Sequence, residues 1–140
     1  MNHKQSESVF KKECNKAFSF LVEKFGYRII DNDEEVYEIK FTNDDIIIKL
    51  KGINYGAATE LSFSRSDRNE SFGIYNLLAA LQPSKKIEEI WAETPKGQIP
   101  QVYYFADMFL RFGIEIIKGN HELFLLLEKE QKKVSQQFQK

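Results

Sequence analysis

Acidic side chains cluster at two places in the sequence. The residues concerned are Asp31, Asp33, Glu34 and Glu35 in the first cluster and Asp44 and Asp45 in the second. Paired carboxylates can perform glycosidic or proton-transfer chemistry. Both clusters, however, lie in asparagine-containing segments that are typical of turns, where acidic side chains usually face solvent. We therefore predict surface turns and not a catalytic pair.

A third group of charges lies on one predicted helix. Asp107, Arg111 and Glu115 recur at intervals of four residues in an otherwise apolar segment, so they form a charged stripe along one side of a helix. One interpretation is a charge ladder that supports a largely buried helix. The alternative is a small enzyme or ligand-binding domain with a pocket between sheet and helices, lined by aromatic residues and by this stripe. The two differ in whether the stripe faces solvent or an enclosed cavity.

The remaining reactive side chains match no catalytic or metal-binding motif. Cys14 lies on the apolar face of a predicted helix, where a thiol behaves as a small hydrophobic group. His3 and His121 each lack a second ligand at a spacing typical of zinc sites. No nucleophile elbow, phosphate-binding loop or dinucleotide-binding glycine motif is present. We therefore predict neither a metal site nor a cofactor, and we favour a non-enzymatic protein.

Composition and charge narrow the classes of partner. The 140 residues include 20 basic and 21 acidic side chains, a net charge of −1. This balance argues against nucleic acid as a partner, although Arg65 and Arg68, with Lys49 and Lys51 on a neighbouring strand, form a possible local basic patch. The single cysteine favours a reducing compartment. With a polar N-terminus and no apolar stretch of about 20 residues, the sequence predicts a cytoplasmic protein without a membrane span.

Hydrophobic periodicity predicts the order of the elements. A single amphipathic helix ends at Gly26, and four strands follow at 27–30, 36–42, 46–51 and 59–65, with alternating apolar and polar residues. Residues 64–73 form a predicted polar loop, 74–81 a short helix, and 102–118 a central helix that is apolar on most of its circumference. A last helix begins near His121, and we expect its C-terminal end to fray or to contact a partner.

These elements predict one α+β domain over residues 1–140. An N-terminal helix precedes a four-stranded antiparallel sheet, because strands joined by short links are usually antiparallel neighbours. The helical C-terminal half packs on one face of this sheet, and the central helix shares that face with the first helix.

Three stretches of the chain carry a resemblance to a known group of proteins. They are FSFLVEKFGYRII, the charged antiparallel strands, and ADMFLRFGIEIIKGNHELFLLL. In pattern and order the chain resembles small, uncharacterised bacterial proteins that include immunity proteins from polymorphic-toxin loci. This resemblance implies a cytosolic protein without catalytic activity that binds a cognate toxin. It supplies no functional residues.

On this basis we predict that the acidic residues of the two turns bind the partner. Opposite local charge speeds encounter and fixes the orientation of two proteins. The side chains of residues 31–35 and 43–45 would therefore suit a basic, nuclease-like partner. The oligomeric state is left open by the sequence.

Overall fold

The computed structural model describes residues 3–32, 34–53, 58–81 and 94–138. Its helices are α1 (His3–Ala17), α2 (Ser19–Phe25), α3 (Ile74–Leu81), α4 (Gln98–Phe112), α5 (Ile114–Ile117) and α6 (His121–Phe138). Its strands are β1 (Arg28–Ile30), β2 (Glu38–Thr42), β3 (Ile46–Ile53), β4 (Ala58–Arg65) and β5 (Ser71–Gly73). Within the described ranges, no helix combines the length and the apolar character needed to cross a bilayer.

The strands form one antiparallel sheet in the order β1-β2-β3-β4-β5. The α+β class and the antiparallel sheet are confirmed, but the predicted number of four strands was wrong. β5 pairs with the end of β4 and places Phe72 opposite Phe63. We predicted residues 64–73 as a polar loop because Ser, Asp and Asn dominate there, and a strand of three residues is too short for alternation to identify.

One face of the sheet is apolar and is covered by helices. The register aligns a row of side chains across the strands, namely Ile29, Phe41, Ile48, Phe63 and Phe72. All but Ile29 are buried. α1 lies against β2, α4 lies against β4, and the two helices pack against each other. The predicted packing of helices on one sheet face is therefore confirmed.

The predicted N-terminal helix is interrupted. Phe18 separates α1 from α2, with φ −104° and ψ 17°. Phe18 and Phe20 are both buried, and their ring centroids lie 5.8 Å apart. Residues two positions apart point to different sides of a continuous helix, so the interruption allows both rings to enter the core. The predicted stop at Gly26 is confirmed, because this residue has φ 73° and its N–H donates to the Leu21 carbonyl.

The predicted continuous helix over 102–118 was also wrong. α4 begins at Gln98, with Pro100 in its first turn, where a missing N–H is tolerated. It ends at Phe112, and α5 follows directly after Gly113. A Cβ atom at position 113 would lie 2.8 Å from the Phe109 carbonyl oxygen, so the backbone approaches too closely for a larger residue without a shift. The interruption places part of the predicted charged stripe on a separate helix.

Aromatic rings fill the space between the sheet and the C-terminal helices. Phe63 lies 5.5 Å from Phe109 of α4 and 5.9 Å from Phe124 of α6, measured between ring centroids. The hydroxyl of Tyr27, just before β1, donates a buried hydrogen bond of 2.7 Å to the carbonyl of Ile117. The sheet and the C-terminal helices therefore share these core contacts.

Candidate functional site

The first acidic turn connects β1 to β2 and is organised by Asn32. Its side-chain Oδ1 accepts a hydrogen bond from the Glu34 N–H at 3.0 Å, and its carbonyl accepts one from the Glu35 N–H at 2.9 Å. Asp31 forms an ion pair of 2.6 Å with Lys11 of α1. Glu34 and Glu35 are exposed, and their side chains make no ion pair with the described residues. Asp33, also predicted in this turn, lies outside the described residues.

The second acidic turn connects β2 to β3. Asp44 adopts a left-handed backbone conformation with φ 74°, which short polar residues tolerate. A hydrogen bond of 2.6 Å from the Arg28 guanidinium lowers the pKa of the Asp44 carboxyl below its usual value. Asp45 lies 3.3 Å from Nε2 of His121 at the start of α6. Both predicted acids of this turn therefore have a basic neighbour within the molecule.

The two acidic turns lie at opposite ends of β2. β2 has five residues, so four steps of ~3.4 Å separate its first and last Cα atoms by about 14 Å. Arg28 pairs with Thr42 at the end near the second turn, whereas Ile30 pairs with Lys40 towards the first turn. The predicted acidic residues therefore do not converge on one point. They flank the edge of the sheet formed by β1.

The edge strand β1 exposes two large apolar side chains between these turns. All three residues of β1 are exposed, and Ile29 and Ile30 are each 42% exposed. Val36, at the end of the first acidic turn, is 38% exposed. The alternation of a strand would bury one of the two isoleucines if the helical layer extended over β1. The residues of this apolar edge, Ile29, Ile30 and Val36, are hereafter called the β1 edge.

The sequence did not predict that the apolar side chains of the β1 edge are exposed. Residues 27–30 were predicted as a strand, and a strand with isoleucines suggests burial. One signal was available, because the first strand of a sheet with sequential pairing must lie at its edge. That signal gives the position of the strand but not how far the helices extend over it.

The charged stripe on the C-terminal helices faces outwards. Asp107 and Arg111 form an ion pair of 3.2 Å across one turn of α4, and their side chains are 53% and 63% exposed. Glu115 is exposed on α5, where it accepts a hydrogen bond from the Asn120 side chain at 3.3 Å. The prediction of a pocket lined by these three residues is therefore wrong, because their side chains lie on the outer surface.

A different cleft lies between the sheet and the helices. It has a volume of about 540 Å³ and opens where β5 leaves part of β4 unpaired, beside α3 and α4. Its described lining includes Leu61, Phe72, Tyr75, Gln101 and Phe105. The Gln101 side chain accepts a hydrogen bond of 2.6 Å from the Thr59 N–H and donates one of 3.0 Å to the Pro95 carbonyl.

The described lining of this cleft contains few ionisable side chains. Among its described lining residues, only Glu60 and Tyr75 are ionisable. Burial raises the pKa of the Tyr75 hydroxyl, so this group stays protonated near neutral pH. General acid–base catalysis is most effective when the catalytic group titrates near the operating pH. The cleft therefore offers shape, apolar area and amide groups to a ligand.

The basic residues considered in the sequence do not form one patch. Arg65 is 9% exposed and lies opposite Ile46 on the inner side of the sheet, with an ion pair of 3.4 Å to Asp67. Arg68 lies 3.8 Å from Glu128 of α6. Lys49 and Lys51 project from the opposite face of the sheet, as the alternating burial of β3 indicates.

Neither Cys14 nor a metal-binding cluster supplies a reactive centre among the described residues. Cys14 is buried, and burial raises the pKa of its thiol to about 12, with a further contribution from Glu13. The thiolate that nucleophilic chemistry requires is therefore scarce at neutral pH. In the described part of the chain, no group of three or more His, Cys, Asp or Glu side chains is arranged to hold a metal ion.

Comparison of the chain with protein-family models, with curated proteins and with solved structures gave no match. We therefore infer a function from the geometry and the charge of the described residues.

Proposed function

We propose that this protein is a non-enzymatic module that binds another protein, and that its specific role is to neutralise a cognate toxin as an immunity protein does. The observation that carries this proposal is the β1 edge beside an acidic turn. An exposed edge strand with apolar side chains offers unpaired backbone groups and apolar area to another protein. Acidic side chains at their rim select a partner of opposite charge.

The distribution of charge along the chain supports a basic partner. Residues 28–45 contain seven acidic and two basic side chains, a net charge of −5. The other residues contain 18 basic and 14 acidic side chains, a net charge of +4, and the two values sum to −1. The segment that contains β1, β2 and both turns is therefore acidic in a nearly neutral molecule, and this charge would attract a basic protein towards β1 and its turns.

Not all of the predicted acidic residues are equally available to a partner. Asp31 and Asp44 already pair with Lys11 and Arg28, so a partner would have to compete with these contacts. Glu34 and Glu35 have no such contact with the described residues. We therefore assign the largest share of partner attraction to Glu34 and Glu35.

A paired-variant pull-down tests this proposal. The double substitution Glu34→Lys and Glu35→Lys changes the charge of the first acidic turn by +4, and Asp107→Lys with Glu122→Lys makes the same change on exposed residues elsewhere. We expect wild type and the control variant to recover one stoichiometric basic protein from the native host, and the Glu34/Glu35 variant to lose it. Equal recovery by both variants would contradict the role of this turn.

The toxin-neutralising role has its own test. The captured partner is produced alone in bacterial cells, and then together with the wild-type protein or with the Glu34/Glu35 variant. If the role is correct, the partner alone stops growth, wild type restores it, and the variant restores it poorly. A partner that is harmless when produced alone would contradict the immunity role but not the protein-binding function.

The cleft beside β4 supports a second candidate function, which is binding of a small ligand. Its volume of about 540 Å³ is within the range of ligand sites, and its apolar walls with a few fixed amide groups are typical of them. Native mass spectrometry of the purified protein tests this candidate. A bound small molecule that is lost on the substitution Phe105→Ala would favour it over the binding of a protein.

A further inference from the structure

We propose that β1 binds an extended, basic segment of the partner protein as an added β-strand. This inference rests on the proposed function and specifies how the partner is recognised. Strand addition uses main-chain hydrogen bonds for attachment and side-chain contacts for specificity. It requires an open strand edge, side chains that can pack on an added strand, and a reason for one class of partner.

Among the described residues, no strand pairs with the side of β1 that faces away from β2. β1 pairs with β2 on one side, and all three of its residues are exposed. The opposite edge differs, because Phe72 of β5 is 2% exposed and the chain continues from Gly73 directly into α3. Alternate residues of an antiparallel strand direct both N–H and C=O to the same side. At least one residue of β1 therefore presents both groups away from β2.

The side chains of β1 suit an added strand on both faces. Ile29 and Ile30 are consecutive, so they project from opposite faces of the sheet. Natural edge strands are usually protected by charged residues, proline or a bulge. Two isoleucines, each 42% exposed, provide apolar area that a neighbouring strand would bury. The added segment therefore needs apolar or β-branched residues that face each isoleucine.

The charge around β1 specifies a basic segment. Glu34 and Glu35 lie in the turn that follows Ile30, where they make no ion pair with the described residues. At the other end of β1, Arg28 is engaged by Asp44 at 2.6 Å. Lysine or arginine side chains near the Ile30 end of the added strand would therefore meet opposite charge without displacing an existing pair.

A second copy of the same chain is a poorer occupant of this edge. Pairing of two β1 strands would bring together two segments that each carry a net charge of −5. Repulsion between like charges opposes such a contact, and more strongly at low salt. A different, basic protein avoids this cost. We therefore assign the edge to a partner and treat self-association as an outcome that the experiment must detect.

The experiment uses the intact protein to select binders from a displayed library of random twelve-residue peptides. We expect the selected peptides to alternate apolar with polar residues and to contain several Lys or Arg residues. N-methylation at successive positions of one such peptide removes one N–H donor at a time. Binding should fall at only one position or at two positions separated by one residue, because β1 has three residues and only alternate ones pair with an added strand. Amide exchange at β1 should slow in the complex.

Two matched substitutions test whether the peptide binds at β1. Ile30→Lys should weaken peptide binding at least tenfold, because a lysine at an edge opposes strand addition and repels a basic segment. Leu125→Lys makes the same change at a leucine that is 53% exposed on α6, and it should leave binding unchanged. Circular dichroism establishes that both variants are folded.

Several outcomes would overturn strand addition. They are a library that yields no binder, binders whose affinity falls on N-methylation at adjacent positions or at none, binding that survives Ile30→Lys, and self-association of the protein through β1. Failure of the proposed function is distinguishable from these outcomes. Suppose that the natural partner is lost with the Glu34/Glu35 variant but retained by Ile30→Lys. This result would support the protein-binding function and contradict strand addition at β1.

Discussion

At the scale of single residues, acidic side chains that look equivalent in the sequence differ in their surroundings. The sequence correctly predicted that Asp31, Glu34, Glu35 and Asp44 lie in turns, because asparagine-containing segments favour turn geometry. It did not predict that Lys11 approaches Asp31 across 20 positions of the chain. Contacts of this kind depend on the packing of α1 beside the sheet, which local patterns do not encode.

Alkaline pH should destabilise the protein through the buried thiol of Cys14. Burial raises the pKa of this thiol from 9.0 to about 12. The unfolded thiol therefore ionises near pH 9 while the folded one stays protonated, so this contribution to stability is complete below pH 9 and is lost as the pH rises towards 12. Urea unfolding between pH 7 and pH 11 should show a steeper loss of stability in wild type than in Cys14→Ala.

Wild type and Cys14→Ala share the buried hydroxyl of Tyr27. Burial also raises the pKa of Tyr27, so Cys14→Ala should still lose some stability in alkali. In addition, Cys14 of the folded protein should resist iodoacetamide at pH 8 and react once urea unfolds the chain. Identical pH profiles for the two proteins, or rapid alkylation of the folded chain, would contradict a strongly raised thiol pKa.

At the scale of elements, alternation and helical spacing predicted the regular strands and helices but not the points at which two helices are interrupted. The alternation in β2, β3 and β4 predicted both their position and the face they bury. The interruptions at Phe18 and Gly113 were not predicted, because the apolar spacing continues almost unchanged through both. At Phe18 the interruption accompanies the burial of two nearby rings, which depends on tertiary packing. At Gly113 the backbone lies close to the Phe109 carbonyl of the preceding turn, which is a local contact.

Gly119, in the turn between α5 and α6, should be more sensitive to substitution than Gly26. Both have positive φ, 82° and 73°, so alanine is strained at either position by roughly 1–2 kcal/mol. A Cβ at position 119 would in addition lie 2.7 Å from Oδ2 of Asp45, so this carboxylate would have to turn away and lose its 3.3 Å contact with His121. At Gly26 a Cβ would meet nothing within 4 Å. Chemical unfolding should therefore show a larger loss for Gly119→Ala than for Gly26→Ala.

The excess loss at Gly119 should depend on Asp45. When Asp45→Ala is the starting protein, Gly119→Ala should cost about as much as Gly26→Ala, because the carboxylate that crowds the new methyl group is gone. If Gly119→Ala still costs more stability than Gly26→Ala when Asp45 is replaced by alanine, the additional loss does not come from Asp45.

At the scale of the whole molecule, the shared core predicts cooperative unfolding. Phe63 of the sheet contacts the rings of α4 and α6, and Tyr27 is joined to Ile117 by a buried hydrogen bond. Neither the sheet nor the C-terminal helices would keep an apolar face covered without the other. Far-UV circular dichroism and near-UV aromatic signals should therefore report one coincident urea transition. Two separated transitions would show that the chain contains independent units.

The order of the strands along the chain also has a consequence for synthesis. Each strand pairs with its immediate predecessor, so the sheet can grow with short loop closures as the chain leaves the ribosome. Its apolar face, however, is covered largely by α4, which follows β4 after more than 30 residues. At the usual rate of synthesis this interval lasts a few seconds. During that time the nascent sheet exposes Phe63, because its ring partners Phe109 and Phe124 have not yet been made, so we expect chaperones that hold apolar segments to bind it.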